Sequence, residues 1–413
     1  MELPFHYRQG VLCCDDVEVS EIAERLGTPC YVYSARGILD RFAAYDSGLG
    51  DVPHRVCYAV KANGNLSLLR LLADAGAGFD IVSGGELFRV RKAGGSADRV
   101  IFSGVGKSRA EIEYALEEGI LSFNCESEAE IGLIDSLAAR LGAKPSVAFR
   151  VNPDVDAVTH PYISTGLKEH KFGIDIDRIE QVYEHSRSLQ HISLDGVACH
   201  IGSQLLDPSP LLESASRLLE LVRRLRERGH AIRHLDLGGG LGVPYKPGDA
   251  RPDVGNYLAS TQKLVEGQNL TLYFEPGRSI VAEAGALLSR VLYRKSTPSK
   301  EFIVADAAMN DLIRPALYGA HHEIVPARTS LRGTIKADVV GPVCESADFL
   351  AKDREIANVL PGDLIAVLTA GAYGMVSASN YNARPRPAEV LVEGSQWRVI
   401  RQRETYEDLV RGE

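Results

Sequence analysis

From Arg55 to about Ser279, short runs of β-branched and aromatic residues alternate with longer stretches whose apolar positions recur three and four apart. The short runs are RVCYAV from Arg55, GFDIVS from Gly78, RVIFSG from Arg99, LSFNCE from Leu121, SVAFRV from Ser146, LDGVACH from Leu194, IRHLDLG from Ile232 and LTLYFE from Leu270. Between them, LSLLRLLADAG, AEIEYALEEG, EAEIGLIDSLAARLG and LLESASRLLELVRRLRERG each carry one apolar face and end at glycine, a residue suited to the left-handed turn that closes a helix. Eight such strand–helix units in succession predict a closed (β/α)8 barrel, a TIM barrel.

After Ser279 the texture changes. EFIVADAAM, TIKADVVGPV, DLIAVLTAGAYG and AEVLVEGSQWRVIRQ read as strands separated by turns, with few helices between them. The N-terminal arm adds short strand-like pieces, GVLCCDDVEV and CYVYS, ahead of the first barrel strand. The expected class is therefore α/β plus all-β: residues 1–36 form an arm that packs with the β domain, 37–282 the barrel, and 283–413 a C-terminal β-sandwich or β-barrel.

Composition narrows the function. A chain of 413 residues, 45% hydrophobic and 24% charged, is too long for one ordinary core and lacks the polar bias of disorder. The net charge of −9 comes without an acidic tail or a basic run, so neither nucleic acid nor an anionic membrane is the expected partner. The opening MELPFHYRQG has no basic start followed by an apolar run, and nowhere do about 18 apolar residues stand together, so the expected location is the cytoplasm and the expected partner a small molecule. Seven cysteines (Cys13, Cys14, Cys30, Cys57, Cys125, Cys199 and Cys344) are scattered without a CxxC or a zinc-like Cys/His spacing. Neither disulfides nor a metal site is expected, and most of these thiols should be small buried apolar groups.

In a (β/α)8 barrel the chemistry sits at the C-terminal ends of the strands. The polar outliers of this sequence fall there in register. Lys61 ends the first strand, Asp80 lies in the second, Arg150 in the fifth, His200 ends the sixth, Gly238-Gly239-Gly240 follows the seventh, and Glu275-Pro276-Gly277-Arg278 closes the eighth. A lone lysine at a strand end is ordinarily a solvated charge, and a lone glycine run is ordinarily a turn; their convergence on one mouth is what carries the argument. Glycines after strands seven and eight let backbone N–H groups approach anionic oxygens, as a phosphate requires. With an imine-forming lysine, a carboxylate and an imidazole able to lie on a flat ring, the implied ligand is similar to pyridoxal phosphate.

The motifs YAVKAN (58–63), FDIVSGGE (79–86), HIGSQ (200–204), DLGGGLG (236–242), EPGRSI (275–280), GPVCESAD (341–348) and AGAYG (370–374) identify the chain, over nearly its whole length, as resembling the fold-type III pyridoxal-phosphate-dependent decarboxylases. Within that family, NPDVDAVTHPYISTGLKEHKFGI (152–174), RPALYGAHHEI (314–324) and GPVCESADFLAKDRE (341–355) are most similar to the bacterial members that convert meso-diaminopimelate to lysine, the last step of lysine biosynthesis. The resemblance implies that Lys61 holds the cofactor covalently and that Glu275 pairs with its ring nitrogen. It further implies that His200 stacks on the ring and that Ser203, Gly240, Pro276, Gly277, Arg278 and Tyr373 surround the phosphate, with Asp80, Glu86 and Arg150 lining the site. Asp80 and Arg150 could instead form a structural ion pair. Cys344 would come from the partner subunit of a homodimer with shared sites and protonate the α-carbon. Arg278, Arg314, Tyr318, Glu345 and Tyr373 would bind the far amino-acid end of the substrate.

Competing readings keep much of this set. Ornithine, arginine or carboxynorspermidine decarboxylases would also retain Lys61, Glu275 and Cys344, but an amine-ended substrate would not require Arg314. An alanine-racemase-like enzyme shares the two-domain plan and lacks the surroundings of Cys344, whereas a non-catalytic paralogue would have lost catalytic residues that are kept here. Of the adjacent pair His321-His322, the second is a candidate substrate contact; neighbours in sequence point apart, which disfavours a shared metal.

Overall fold

The computed structural model describes residues 3–155, 171–329 and 332–413. They divide into two compact units: one comprises Arg41–Val243 with Ala250–Ser279, the other the chain up to Asp40, Pro244–Asp249 and Ile280–Glu413.

All eight expected strands form in the first unit: β1 His54–Ala59, β2 Gly78–Ile81, β3 Val100–Phe102, β4 Ser122–Cys125, β5 Ser146–Asn152, β6 Ser193–Ala198, β7 His234–Asp236 and β8 Thr271–Phe274. Each pairs in parallel with the next, and β8 returns to β1, so the sheet closes on itself. Strands covered on both faces read as nearly continuous apolar runs, and β3 and β4 are buried at every position. Midway along β6 a glycine is required: a Cβ at Gly196 would stand 1.9 Å from the imidazole Nε2 of His234 on β7.

The helices between strands begin and end where the sequence stops them. Asn65 Oδ1 accepts from the Ser67 N–H at 2.9 Å to start Leu66–Asp74, and Ser83 caps Gly84–Lys92. Ser108 and Glu111 cap each other reciprocally at the start of Arg109–Glu118, and Ser127 caps Glu128–Leu141. Both of the last two helices stop at glycines in the left-handed conformation, Gly119 and Gly142. Because these caps lie immediately after the strands, the helix starts and the strand ends share one face of the barrel.

In the second unit the N-terminal arm is structural. Its first pieces, Phe5–Arg8, Val11–Cys14 and Val17–Glu18, form an antiparallel three-stranded sheet. Strand Cys30–Ser34 inserts into the larger sheet, antiparallel to Gly285–Ser296 and parallel to Ala388–Glu393. It is buried at all five positions, and its two tyrosines satisfy their hydroxyls inside: Tyr31 donates to the Asp311 carbonyl at 2.6 Å and Tyr33 to Glu389 Oε1 at 2.8 Å. The core beside it joins Phe5, Leu12 and Cys14 of the arm to Leu288, Val390 and Val392 of the later strands. The arm thus completes the β unit's core, as its strand-like pattern suggests. Among the described residues no helix is long and apolar enough to cross a membrane.

Candidate active site

Lys61 and Lys107 both lie at the C-terminal end of the barrel, and their surroundings differ. Lys107, after β3, is sealed: its Nζ donates to the Gly104 carbonyl at 2.7 Å, the Asn124 carbonyl at 2.8 Å and Glu130 Oε1 at 2.6 Å, and its side chain is 0% exposed. Lys61, in the single turn Val60–Ala62 after β1, keeps its side chain 35% exposed while its Nζ lies 2.7 Å from Oδ2 of the buried Asp80 on β2. Of the two, the Lys61 side chain is the more accessible. The other oxygen of Asp80, Oδ1, is buried without a hydrogen-bond partner, an acceptor left beside that amine.

Below Lys61 the barrel buries further acid. Glu275, directly after β8, accepts from Ser103 Oγ at 3.2 Å and from Asn124 Nδ2 at 3.3 Å. Asp236, at the end of β7, accepts from Asn124 Nδ2 at 2.7 Å and from the Gly238 N–H at 2.8 Å. Burial first, then the neighbouring carboxylates of Asp236 and Asp80, push Glu275 well above the ordinary carboxyl range; burial raises Asp236 to about 6. Three acidic groups taken out of water make this a site for positive charge, which a protonated ring nitrogen would bring.

The rim supplies flat and anion-binding groups. His200 Nδ1 accepts from the Gly239 N–H at 3.3 Å, and burial, reinforced by the charges of Arg150 and Lys61, holds the imidazole well below its usual value. It is a neutral ring at neutral pH. Arg278 donates through Nη2 to Ser203 Oγ at 3.1 Å and through Nε at 3.3 Å, bringing a guanidinium beside a hydroxyl as an anion site needs. The glycines of DLGGGLG are sterically required: a Cβ at Gly239 would lie 2.3 Å from the Glu275 carbonyl, and Gly240 has φ +119° with the Gly202 carbonyl 2.8 Å from where a Cβ would be. Gly277 is tight against β1, its notional Cβ 3.0 Å from those of Ala59 and Ala62, and the Pro276 carbonyl accepts from the Ala59 N–H at 3.1 Å. An amine, a buried carboxyl beneath it, a neutral ring and a glycine-lined guanidinium fit pyridoxal phosphate by the chemistry of the donor set.

Other expected residues have partners that spacing did not disclose. Asp80 and Arg150 do not pair: Asp80 holds Lys61, whereas Arg150 Nη1 donates to Glu126 Oε1 at 3.0 Å and Nη2 to the His200 carbonyl at 3.2 Å. Gln204, the last residue of HIGSQ, brackets Val243 from both sides, donating to its carbonyl at 2.6 Å and accepting from its N–H at 3.3 Å. Most of the segment HPYISTGLKEHKFGI lies outside the described residues, which resume at Lys171.

In the β unit, Arg314 opens the short helix Arg314–Tyr318 and is buried, its guanidinium carbon 4.5 Å from the centre of the Tyr245 ring and its Nη1 2.9 Å from His322 Nε2. Tyr318, at the end of that helix, is half-buried. Cys344 is exposed, with its backbone N–H held by Asn382 Oδ1 at 2.7 Å, and Tyr381 donates to the neighbouring Glu345 at 3.4 Å. The six other cysteines are buried. Tyr373 sits at φ 55°, uncommon for a bulky residue, where Gly371 lets the chain pass so close that a Cβ would be 1.9 Å from the Val281 carbonyl. The two histidines do point apart: His321 meets Arg354 and Glu323, while His322 faces Arg314.

A family profile described as pyridoxal-dependent decarboxylase, pyridoxal binding domain, matches residues 35–282. The chain is 54% identical to the diaminopimelate decarboxylase of Pseudomonas aeruginosa, covering 99% of this chain and 98% of that protein, and 47% identical to that of Aquifex aeolicus over 98% and 96%. Its fold is similar to the crystal structure of Helicobacter pylori diaminopimelate decarboxylase complexed with L-lysine, with a TM-score of 0.92 and 43% identity over 95% of this chain and 98% of that one. It is likewise similar to the M. jannaschii diaminopimelate decarboxylase in co-complex with L-lysine, with a TM-score of 0.93 and 38% identity over 98% and 96%.

Burial also tunes Glu86, which accepts from the Val82 N–H at 2.7 Å yet is pushed up to about 7 because desolvation outweighs that bond. With a folded value above the unfolded one of 4.5, its contribution to stability is complete below that lower value and is lost as pH rises through about 7. Glu86→Gln keeps an acceptor for Val82 without the ionisation. Thermal unfolding of the cofactor-free protein should therefore favour the variant increasingly between about pH 5 and 8, and a pH-independent difference would contradict this reading.

Proposed function

The chain belongs to the pyridoxal-dependent decarboxylases, and from that membership we infer that it converts meso-diaminopimelate to L-lysine and CO2 with pyridoxal 5′-phosphate as cofactor. The observation that carries the substrate is the 54% identity to a diaminopimelate decarboxylase over 99% of this chain. When bound, the cofactor supplies an electron sink for the pair left behind as the carboxylate departs.

The chain's own residues do the rest. Lys61 would hold the cofactor through its amine. Glu275 holds the ring nitrogen's proton in a pocket already made negative by Asp236 and Asp80. His200 would lie against the ring as an uncharged imidazole, and Ser203, Gly240, Pro276, Gly277, Arg278 and Tyr373 would hold the phosphate. Replacing the lost carboxylate requires one proton at the α-carbon, and Cys344 donates it. Arg278 and Arg314 bind the far carboxylate, Tyr318 and Tyr373 add hydroxyl hydrogen bonds, and Glu345 pairs with the far ammonium. Cys344, Glu345 and Tyr373 complete the site across a homodimer, in the cytoplasm.

Three outcomes follow. kcat/KM for CO2 release should be far higher with meso-diaminopimelate than with ornithine or arginine; a preference for either amine-ended substrate would refute the substrate assignment and leave the decarboxylase reading intact. Borohydride treatment of the yellow holoenzyme should bleach it and fix the label on Lys61, and label on another lysine would refute that anchor. Mixing Lys61→Ala and Cys344→Ala subunits should restore part of the activity, because one of the two sites in a mixed dimer keeps both residues. No recovery despite demonstrated subunit exchange would return Cys344 to its own chain's site or remove it from the chemistry.

A further inference from the structure

Arg314 is a buried cation, 7% exposed, and the groups around it specify more than its presence. His322 is fully buried, with Nδ1 2.9 Å from the Leu368 carbonyl and Nε2 2.9 Å from Arg314 Nη1. A carbonyl oxygen only accepts and a guanidinium only donates, so Nδ1 carries the ring proton and Nε2 presents its lone pair to Arg314. The same imidazole packs against Tyr245, ring centres 5.3 Å apart at 78°, and Tyr245 in turn offers its face to the guanidinium. The segment bearing His322 is itself fixed, since Arg354 Nη2 donates to the His322 carbonyl at 2.6 Å and the Leu368 N–H to the Glu323 carbonyl at 2.8 Å.

We propose that His322 is a positioning residue for substrate selection: as a neutral imidazole acceptor it fixes the Arg314 guanidinium over Tyr245, and thereby sets the affinity for the far carboxylate. The inference rests on the assignment of Arg314 as a cation for that carboxylate. A flexible arginine would lose side-chain freedom on meeting each ligand; one already held by an acceptor on one edge and a ring on one face has lost it in advance. A neutral imidazole accepts one guanidinium N–H without adding a negative charge beside it, which an acidic partner at this position would add.

Two amides separate the two hydrogen bonds of the ring. In His322→Asn the amide stands where Nδ1 was and keeps the link to Leu368 but nothing at Nε2; in His322→Gln the carbonyl reaches the Nε2 position and again accepts from Arg314. The readout is binding of L-lysine and cadaverine to the holoenzyme, followed by cofactor absorbance, because these ligands differ by one carboxylate. Wild type should prefer L-lysine, and Arg314→Ala should erase most of that preference. His322→Asn should reduce it roughly ten- to a hundredfold, as expected for losing a hydrogen bond to a charged group, and His322→Gln should recover most of it. If Arg314→Ala keeps the preference, the carboxylate assignment fails and the inference with it. If Arg314→Ala erases it but His322→Asn does not change it, or Gln is no better than Asn, the inference alone is overturned. Equal weakening of both ligands, or loss of cofactor in both amide variants, would assign His322 to the β fold and overturn it too. Should only the Asn variant fail to hold cofactor, His322→Leu replaces it as the variant lacking the acceptor, and Gln must still exceed Leu.

Discussion

Ionisable groups taken out of water at the C-terminal end of the barrel are the constraint on which the rest of the site depends. Asp80 and Asp236 are fully buried and Glu275 nearly so. An isolated buried carboxylate is costly, and real proteins answer by pairing it, hydrogen-bonding it or leaving it protonated. All three answers occur here: Asp80 takes Lys61, Asp236 takes Asn124 and the Gly238 N–H, and Glu275 is held toward its neutral form. The result is a pocket whose potential favours a cation at its floor. A protonated ring nitrogen is a cation that such a floor would favour.

Restraining these buried acids draws on several strands at once. The acids come from β2, β7 and β8, and the donors that restrain them come from β3 and β4 through Ser103 and Asn124. Only a closed parallel sheet brings five strand ends to one point without exposing an edge. The glycine turn after β7 can then press against the Glu275 carbonyl with no side chain between, leaving room at the rim for Ser203 and Arg278. His200, positioned where Arg150 and Lys61 both oppose its protonation, stays a flat neutral surface rather than adding a further charge.

Much of this was legible in the sequence, and the illegible part has a common cause. Period and capping residues disclose strands and helices, because Ser108, Glu111 and Gly119 act on their own neighbours. Strand-end position discloses which side chains reach the mouth. Neither discloses which of them touch: Asp80 and Arg150 are plausible partners on paper, yet β2 faces Lys61 and β5 faces Glu126 beside β4, a residue that nothing in NCESE distinguishes from a surface charge. Asp236 hid inside DLGGGLG, read for its glycines although its carboxylate is the group that presses on Glu275. Tyr245 lies 69 residues before Arg314, and no periodic signal links a loop residue to a distant helix start.

Recognition of an amino acid at each end of one substrate is a problem of difference rather than of total affinity. On the proposed assignment of Arg314, a ligand lacking the far carboxylate would forgo a charge-assisted contact at a guanidinium buried beside Tyr245 and His322. Discrimination therefore requires the cation to be held where water cannot replace the missing partner. A neutral imidazole meets the guanidinium through one N–H and adds no negative charge of its own, as a carboxylate would. The barrel floor follows the same logic with opposite sign, since Asn124 and Ser103 orient Glu275 without neutralising the acidic cluster around it. In both places a neutral hydrogen-bonding group meets a buried ionisable one.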